Sequence, residues 1–272
     1  MAGTKAIFIT GAASGIGRAV AQRFAREGWA VGLADVDSAG LSQTAALLPD
    51  GCASIHVMDV RDPDGWVEEL TDFTERTGDR LDVLFNNAGV ALGGPFGETD
   101  LEDIERIIAI NFTGVALGAR IGYFFLRKTP GSCLLNTASA AGIYGTSGAA
   151  IYSATKFAVR GLTEALDGEW HGEGIRVRSL MPGFIDTPLL DRGVEASNET
   201  VRDRVRRAGL EFTPVEQVAE EAWHAVQGDT LHTVIGKTAK RMKFAARWLP
   251  GKIRKQMRRG GEAPEQSAAS GG

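Results

Sequence analysis

Residues 6–28 read AIFITGAASGIGRAVAQRFAREG, and the fold turns on how this stretch is read. Ala6 to Thr10 is a short apolar run with the length of a strand buried on both faces. From Ser14 to Glu27 the residues Ile16, Ala19, Val20 and Phe24 recur at near-helical spacing, and Gly28 stands where a helix stop belongs. Between strand and helix lie Gly11, Gly15 and Gly17. Glycine there lets the backbone approach a pyrophosphate, and the helix N-terminus adds free N–H groups and a partial positive charge. The spacing is Gly-x3-Gly-x-Gly, not the general Gly-x-Gly-x2-Gly, and alone it also suits a tight structural turn. Asp35 adds weight to the nucleotide reading. It falls 18 residues after Gly17, at the end of the next apolar run, close to the ~20-residue offset of a ribose-binding acid.

The alternation continues down the chain. Further strands are predicted at 30–34, 54–58, 81–85, 133–137, 176–180 and 233–235, with helices between them at about 38–48, 63–77, 100–126, 151–171 and 214–227. The last helix opens Thr213-Pro-Val-Glu216, which reads as a cap, a proline in the first helical position and a glutamate closing a capping box. Seven short apolar strands separated by helices predict an α/β fold with one doubly wound parallel sheet covered on both faces. No repeat and no compositional break divides residues 1–236, which read as one domain.

With 272 residues, 43% hydrophobic and 24% charged, the chain can build a full-sized core. Its net charge of −4 gives no reason to expect nucleic acid as a partner. Two cysteines, Cys52 and Cys133, imply neither a disulfide framework nor a zinc site, and a reducing cytoplasm is the expectation. The apolar stretch from Ala6 to Ile9 is too short for a secretory leader, and no apolar run is expected to reach the ~20 residues of a membrane span. Charge is unevenly spread: residues 237–259 hold ten Lys or Arg and no acid, leaving the remainder at −14. Within them Leu249, Ile253 and Met257 fall at i, i+4 and i+8, with Trp248 beside them and Lys252, Arg254, Lys255, Arg258 and Arg259 around. Such a basic amphipathic extension fits a helix resting on an anionic membrane, or one packed on the body or on a neighbouring subunit. Residues 260–272, small and polar, are expected to be mobile.

Tyr152 and Lys156 stand one helical turn apart, 13 residues after Ser139. A phenol ordinarily ionises near pH 10, too high for proton exchange near neutrality, and a lysine on the same helix face favours the phenolate. Alone, Tyr-x3-Lys is usually an amphipathic helix pair. Here it is one of five ordered motifs: residues 10–17, Asp59-Val60, Asn86-Asn-Ala-Gly89, Ser139 with Tyr152-x3-Lys156, and Pro182-Gly-Phe-Ile-Asp-Thr187. Over residues 5–236 the chain thereby resembles the short-chain dehydrogenase/reductase family.

The resemblance implies a single Rossmann-type domain and an oxidoreductase that forms a homodimer or homotetramer through helices 100–126 and 151–171. It implies that Tyr152 is the catalytic acid/base and that Lys156 also holds the nicotinamide ribose. Ser139 would bind the substrate oxygen, and Asn111 would hold a water linking Lys156 to solvent. For the cofactor it implies Gly11, Ser14, Gly15, Ile16 and Gly17 at the pyrophosphate and Asp35 at the adenosine ribose. Asp59 would stand by the adenine with Val60 alongside, and Asn87, Ala88 and Gly89 would pass the adenosine ribose. Pro182, Gly183, Ile185 and Thr187 would meet the nicotinamide. Asp35 accepts ribose hydroxyls and repels a 2′-phosphate, Ala12, Ala13 and Ser14 offer no base, and Arg18 is expected to point off its helix, so NAD is expected over NADP.

Segments 90–97, 140–146 and 184–212 would line the substrate cleft. Val90, Leu92, Phe96, Ile143, Tyr144, Phe184, Leu189 and Leu190 suggest a hydrophobic secondary alcohol or ketone. Arg192 and the arginines of 202–207 alternate with acids and read as solvated. An NADPH-dependent ketoreductase of acyl or polyketide-like chains and a catalytically idle nucleotide-binding scaffold are the alternatives. Asp35 opposes the first, and the presence of Ser139, Tyr152 and Lys156 opposes the second.

Overall fold

The computed structural model describes residues 4–187, 190, 200–207 and 209–260. Each apolar run read as a strand is one: β1 (Ala6–Thr10), β2 (Ala30–Asp35), β3 (Ala53–Val57), β4 (Val83–Asn86), β5 (Cys133–Thr137), β6 (Arg176–Pro182) and β7 (His232–Ile235). Neighbours pair in parallel throughout, in the order β3-β2-β1-β4-β5-β6-β7. The order reverses between β1 and β4, and a crevice opens beyond their C-terminal ends, where ligands bind in open α/β sheets.

Among the described residues the helices are α1 (Gly15–Arg26), α2 (Ser38–Ala45), α3 (Pro63–Arg76), α4 (Leu101–Ile108), α5 (Gly114–Leu126), α6 (Ala150–Trp170), α7 (Val201–Arg207), α8 (Val215–Gln227), α9 (Lys237–Trp248) and α10 (Pro250–Gly260). α1 and α8 cover one face of the sheet, where Phe24, Trp29 and Trp223 meet edge to face with centroids 5.0–5.8 Å apart. α3, α5 and α6 cover the other around Phe8, Trp66 and Phe73. Burying each such ring contributes roughly 2–3 kcal/mol.

The segment 100–126 is not one continuous α-helix. A π-helical turn, Ala109–Thr113, separates α4 from α5. Contrary to the sequence expectation, Leu101–Leu126 is long and apolar enough by length and composition to cross a membrane. Its small-residue face is instead laid on the sheet. A Cβ on Gly118 would lie 2.7 Å from the Trp66 ring, and one on Gly122 would lie 2.2 Å from Leu84 Cδ2.

Two other expectations change. No capping box opens α8, because Thr213 is recruited into a parallel bridge with Ile185, donating its N–H to Phe184 O (2.8 Å) and accepting from Asp186 N (3.1 Å). The helix therefore starts at Val215, with Pro214 extended before it. The basic extension is two helices, broken at Leu249 where Pro250 follows. Ile253 is buried, Met257 is half-buried, and the Met257 carbonyl accepts from Ser147 Oγ at 2.8 Å, so the apolar stripe of α10 lies on the body. Leu189, Arg192 and residues 261–272 lie outside the described residues.

Candidate active site

The crevice is assembled from strand ends. Thr10 closes β1; its hydroxyl donates to Phe85 O (3.3 Å) and accepts the N–H groups of Asn87 (3.0 Å) and Ala88 (3.1 Å). Asn87 donates its amide to Thr10 O (3.0 Å) and accepts from Thr137 Oγ1 (3.1 Å), so its side chain clamps β1, β4 and β5 together. Gly11 follows with φ +70°, where a Cβ would lie 2.9 Å from Ala88 Cα. A Cβ on Gly17 would lie 2.2 Å from Gly11 O. Side chains at these positions would fill the cradle. Ser14 is exposed and extended and makes no capping bond, which leaves its hydroxyl and the first-turn N–H groups of α1 for an anion. Ile16 is half-buried against the core.

Asp35, ending β2, accepts from Ala13 N (3.2 Å) and Asp37 N (3.1 Å), which fixes the carboxylate beside the loop and leaves acceptor positions over. Arg18 does not point off its helix. It folds against α2, with Nε donating to Thr44 Oγ1 (2.9 Å) and a terminal nitrogen to the Ala13 carbonyl, drawn there by acceptors the loop leaves open. Asp59 is gripped by Arg61, whose Nε lies 2.9 Å from Oδ2 and 3.0 Å from Oδ1; that guanidinium holds the carboxyl below the usual range. Val60 packs against the position of Gly114. The cradle, the open first turn and the acid at β2 fit a dinucleotide.

Ser139, after β5, starts a 3-10 turn, Ala140–Gly142; its Oγ accepts from Ala141 N (3.1 Å), and its hydroxyl is near enough to the Tyr152 phenol to favour the phenolate. The turn sits directly on α6, and a Cβ on Gly142 would lie 2.7 Å from Lys156 O. Burial pushes the Tyr152 phenol above its ordinary pKa, against the smaller pull of Ser139. Lys156 is 4% exposed, and burial lowers its pKa to about 8. Its Nζ donates to Thr137 O (2.9 Å) and lies 5.7 Å from the Tyr152 ring centroid. Desolvation dominates both groups. Asn111, buried in the π turn, exchanges two 2.8 Å hydrogen bonds with the Val90 backbone. One donor and one acceptor position of its amide remain. Gly89 stands between Asn111 and Lys156, since a Cβ there would lie 3.2 Å from Asn111 Oδ1 and 3.7 Å from Lys156 Nζ.

The segment after β6 crosses above the nucleotide loop. Gly183 N donates to Ile235 O (3.0 Å), and the Thr187 methyl is 3.3 Å from where a Gly15 Cβ would be. Arg202, read from sequence as solvated, secures this strap: it pairs with Asp186 and donates to Thr187 O (3.1 Å). No spacing in the sequence pointed to Arg202 or Arg61. Segments 90–97 and 140–149 are joined by Gly94 N to Gly148 O (2.9 Å). Val90, Leu92, Ile143, Tyr144 and Phe184 are half-buried and Leu190 is buried, whereas Phe96 turns outward, 56% exposed.

Two other places collect polar groups. A cavity of about 400 Å³ between α8, β7 and α9 holds no residue of this site. His56, Glu69 and Asp72 bring ligand atoms within 4.8 Å of one another. Both His56 nitrogens are already bonded, to Ser54 Oγ and Glu69 at 2.7 Å each, and Asp72 is held by Arg76.

Residues 5–198 match the family model for short chain dehydrogenases. The chain is 37% identical over 221 residues to meso-2,3-butanediol dehydrogenase of Serratia marcescens, spanning 81% of this chain and 87% of that protein. It is 34% identical over 216 residues to levodione reductase of Leifsonia aquatica, spanning 78% and 79%. A solved short chain dehydrogenase/reductase from Burkholderia phymatum in complex with NAD superimposes with a TM-score of 0.81 at 27% identity, covering 93% of this chain and 95% of that one.

Proposed function

Because the chain belongs to the short-chain dehydrogenase family, we propose that it interconverts a hydrophobic secondary alcohol and its ketone, using NAD, with Tyr152 moving the proton. The observation that carries this reading is Tyr152 beside Ser139 and one turn from buried Lys156, at the C-terminal edge of the sheet that also bears the glycine cradle. A bound nicotinamide supplies or accepts the hydride. Gly11, Ser14, Gly15 and Gly17 hold the pyrophosphate, Asp35 the adenosine ribose, and Lys156 the nicotinamide ribose. Ser139 fixes the substrate oxygen. Tyr152 takes the alcohol proton as the carbonyl forms and returns it in reduction, and Asn111 backs Lys156 on the path to solvent.

NAD is favoured because Asp35 opposes a 2′-phosphate and Arg18 is already engaged by Ala13 and Thr44. The apolar lining supports the substrate class, as do relatives named butanediol dehydrogenase and levodione reductase. Leu101, Ile108, Phe124 and Phe157 remain 37–77% exposed on the outer faces of α4, α5 and α6, which supports a homo-oligomer formed through those helices.

Calorimetric titration with NAD and NADP, followed by a panel of hydrophobic secondary alcohols, tests the reading. NAD should bind at least tenfold more tightly; tighter NADP overturns the role of Asp35. Tyr152→Phe should lower turnover roughly a hundred- to ten-thousand-fold while NAD still binds. Retained turnover overturns the acid/base assignment.

A further inference from the structure

The exposed side of α9 is a stripe at spacings of three and four: Lys237, Lys240, Arg241, Phe244, Arg247 and Trp248. Its opposite side, with Ala239 buried and Met242 and Ala246 half-buried, faces the body. Phe244 is 59% exposed, Trp248 63% and Leu249 42%, so three large apolar side chains are left exposed within the last stretch of α9 and its junction with α10. Arg247 lies over the Trp248 ring at 5.3 Å. Residues 237–259 contain ten bases and no acid, and among the described residues none of those bases makes an ion pair. An apolar, aromatic tip ringed by uncompensated positive charge has the chemistry of an interfacial membrane helix.

We propose that α9 and the start of α10 dock this protein on an anionic lipid surface, with Phe244, Trp248 and Leu249 entering the interface and the surrounding lysines and arginines meeting the headgroups. Charge selects this occupant over a second copy of the chain. A symmetric self-contact through the tip would set ten like charges against ten, whereas an anionic leaflet attracts each of them. Of the stripe inferred from sequence, only Leu249 belongs to the docking face, because Ile253 is spent on the body and Met257 is half-buried there. The docking helices adjoin the cleft. Ala239 lies 3.7 Å from the position of a Gly183 Cβ, and Met257 O accepts from Ser147. Lipid would thus lie beside the cleft's apolar lining.

The test is co-sedimentation of the full chain with phosphatidylcholine vesicles, with and without phosphatidylglycerol. Emission from Trp248 gives a second readout, since Trp29, Trp66 and Trp170 are buried and Trp223 is half-buried. The protein should bind only the phosphatidylglycerol vesicles, less at high salt, with a blue shift that Trp248→Phe removes. Lys240→Gln with Arg241→Gln should weaken binding roughly 30-fold, at about fivefold per base. Phe244→Ser with Trp248→Ser should weaken it about tenfold or more. All four side chains are exposed, so these variants should fold and bind nucleotide normally. Absence of binding to anionic vesicles, or equal binding by the variants, overturns the proposal. So does a fall in the protein's own assembly size in the Phe244/Trp248 variant, which would make the tip a subunit contact. Vesicle binding is read without substrate, so failure here and failure of the redox reading are distinguishable.

Discussion

Lys156 carries an ammonium into a position 4% exposed, and its pKa falls from 10.5 to about 8. The folded state therefore disfavours the protonated form, and the sign of the pH dependence follows. Below about pH 8 the lysine is protonated whether folded or unfolded, and the full penalty, roughly 3 kcal/mol, is present. Between about 8 and 10.5 the unfolded chain holds more protons than the folded one, so this group's contribution to stability rises with pH. Lys156→Met should accordingly stabilise the free protein by up to about 3 kcal/mol at pH 7, and the gain should fade by about pH 10. Denaturant titrations at the two pH values check this, and a gain independent of pH would refute the burial argument. The same variant should weaken NAD binding and lose turnover, separating stability from function. Because burial also raises the Tyr152 phenol, kcat/KM for oxidation should climb with pH from about 7 to 9, and a flat profile would count against a rate-limiting proton transfer. Asp35→Ser should reduce the preference for NAD over NADP at least roughly tenfold, since one opposing charge beside a 2′-phosphate is removed.

α5 shows what spacing reveals and what it hides. Its helical period and its place in the order of elements were legible, and so were the strands, because burial on both faces writes continuous apolar runs. The glycine loop and the Tyr–Lys pair were legible for a related reason, since local backbone geometry sets which residues sit together. The π turn was not, because a single extra residue barely disturbs the period, and Asn111 is held there by Val90, an acceptor and donor from another loop. The contacts of Arg18, Arg61 and Arg202 were hidden likewise: each is fixed by partners that only the folded chain brings near. Two predictions follow from the packing of these pieces. Gly118→Ala would thrust a Cβ to 2.4 Å from Asn86 Oδ1 and 2.7 Å from Trp66, and should cost about 2–3 kcal/mol, read as a lower denaturation midpoint. Arg202→Ala should leave stability nearly unchanged but raise the Kd for NAD several-fold by freeing the strap at Asp186 and Thr187; unchanged binding would make the arginine merely decorative.

The whole molecule has more apolar surface than one sheet can use. Gly114, Val115, Gly118, Ala119 and Gly122 of α5 are buried in the single chain, yet Phe124 stays 46% exposed, as do Ile108 (37%) and Leu101 (77%) on α4 and Phe157 (42%) on α6. A helix apolar on two sides has two things to cover it, and this explains why Leu101–Leu126 passes for a membrane span by composition alone. One side is taken by β4 and α3. The other is best taken by the same face of a second copy, where a two-fold axis buries every exposed ring twice. This surface mixes the acids Glu102, Asp103 and Glu105 with the bases Arg106 and Arg120, whereas residues 237–259 hold bases alone, so the two apolar faces call for different partners. The chain should therefore sediment as a dimer or tetramer with a Tm that rises with protein concentration. Phe124→Glu with Phe157→Glu should shift it to monomer. Each ring left unburied forfeits roughly 1.5–3 kcal/mol, and symmetry doubles that loss. Wild-type protein that sediments as a monomer at micromolar concentration would leave this face without a partner and overturn the assembly.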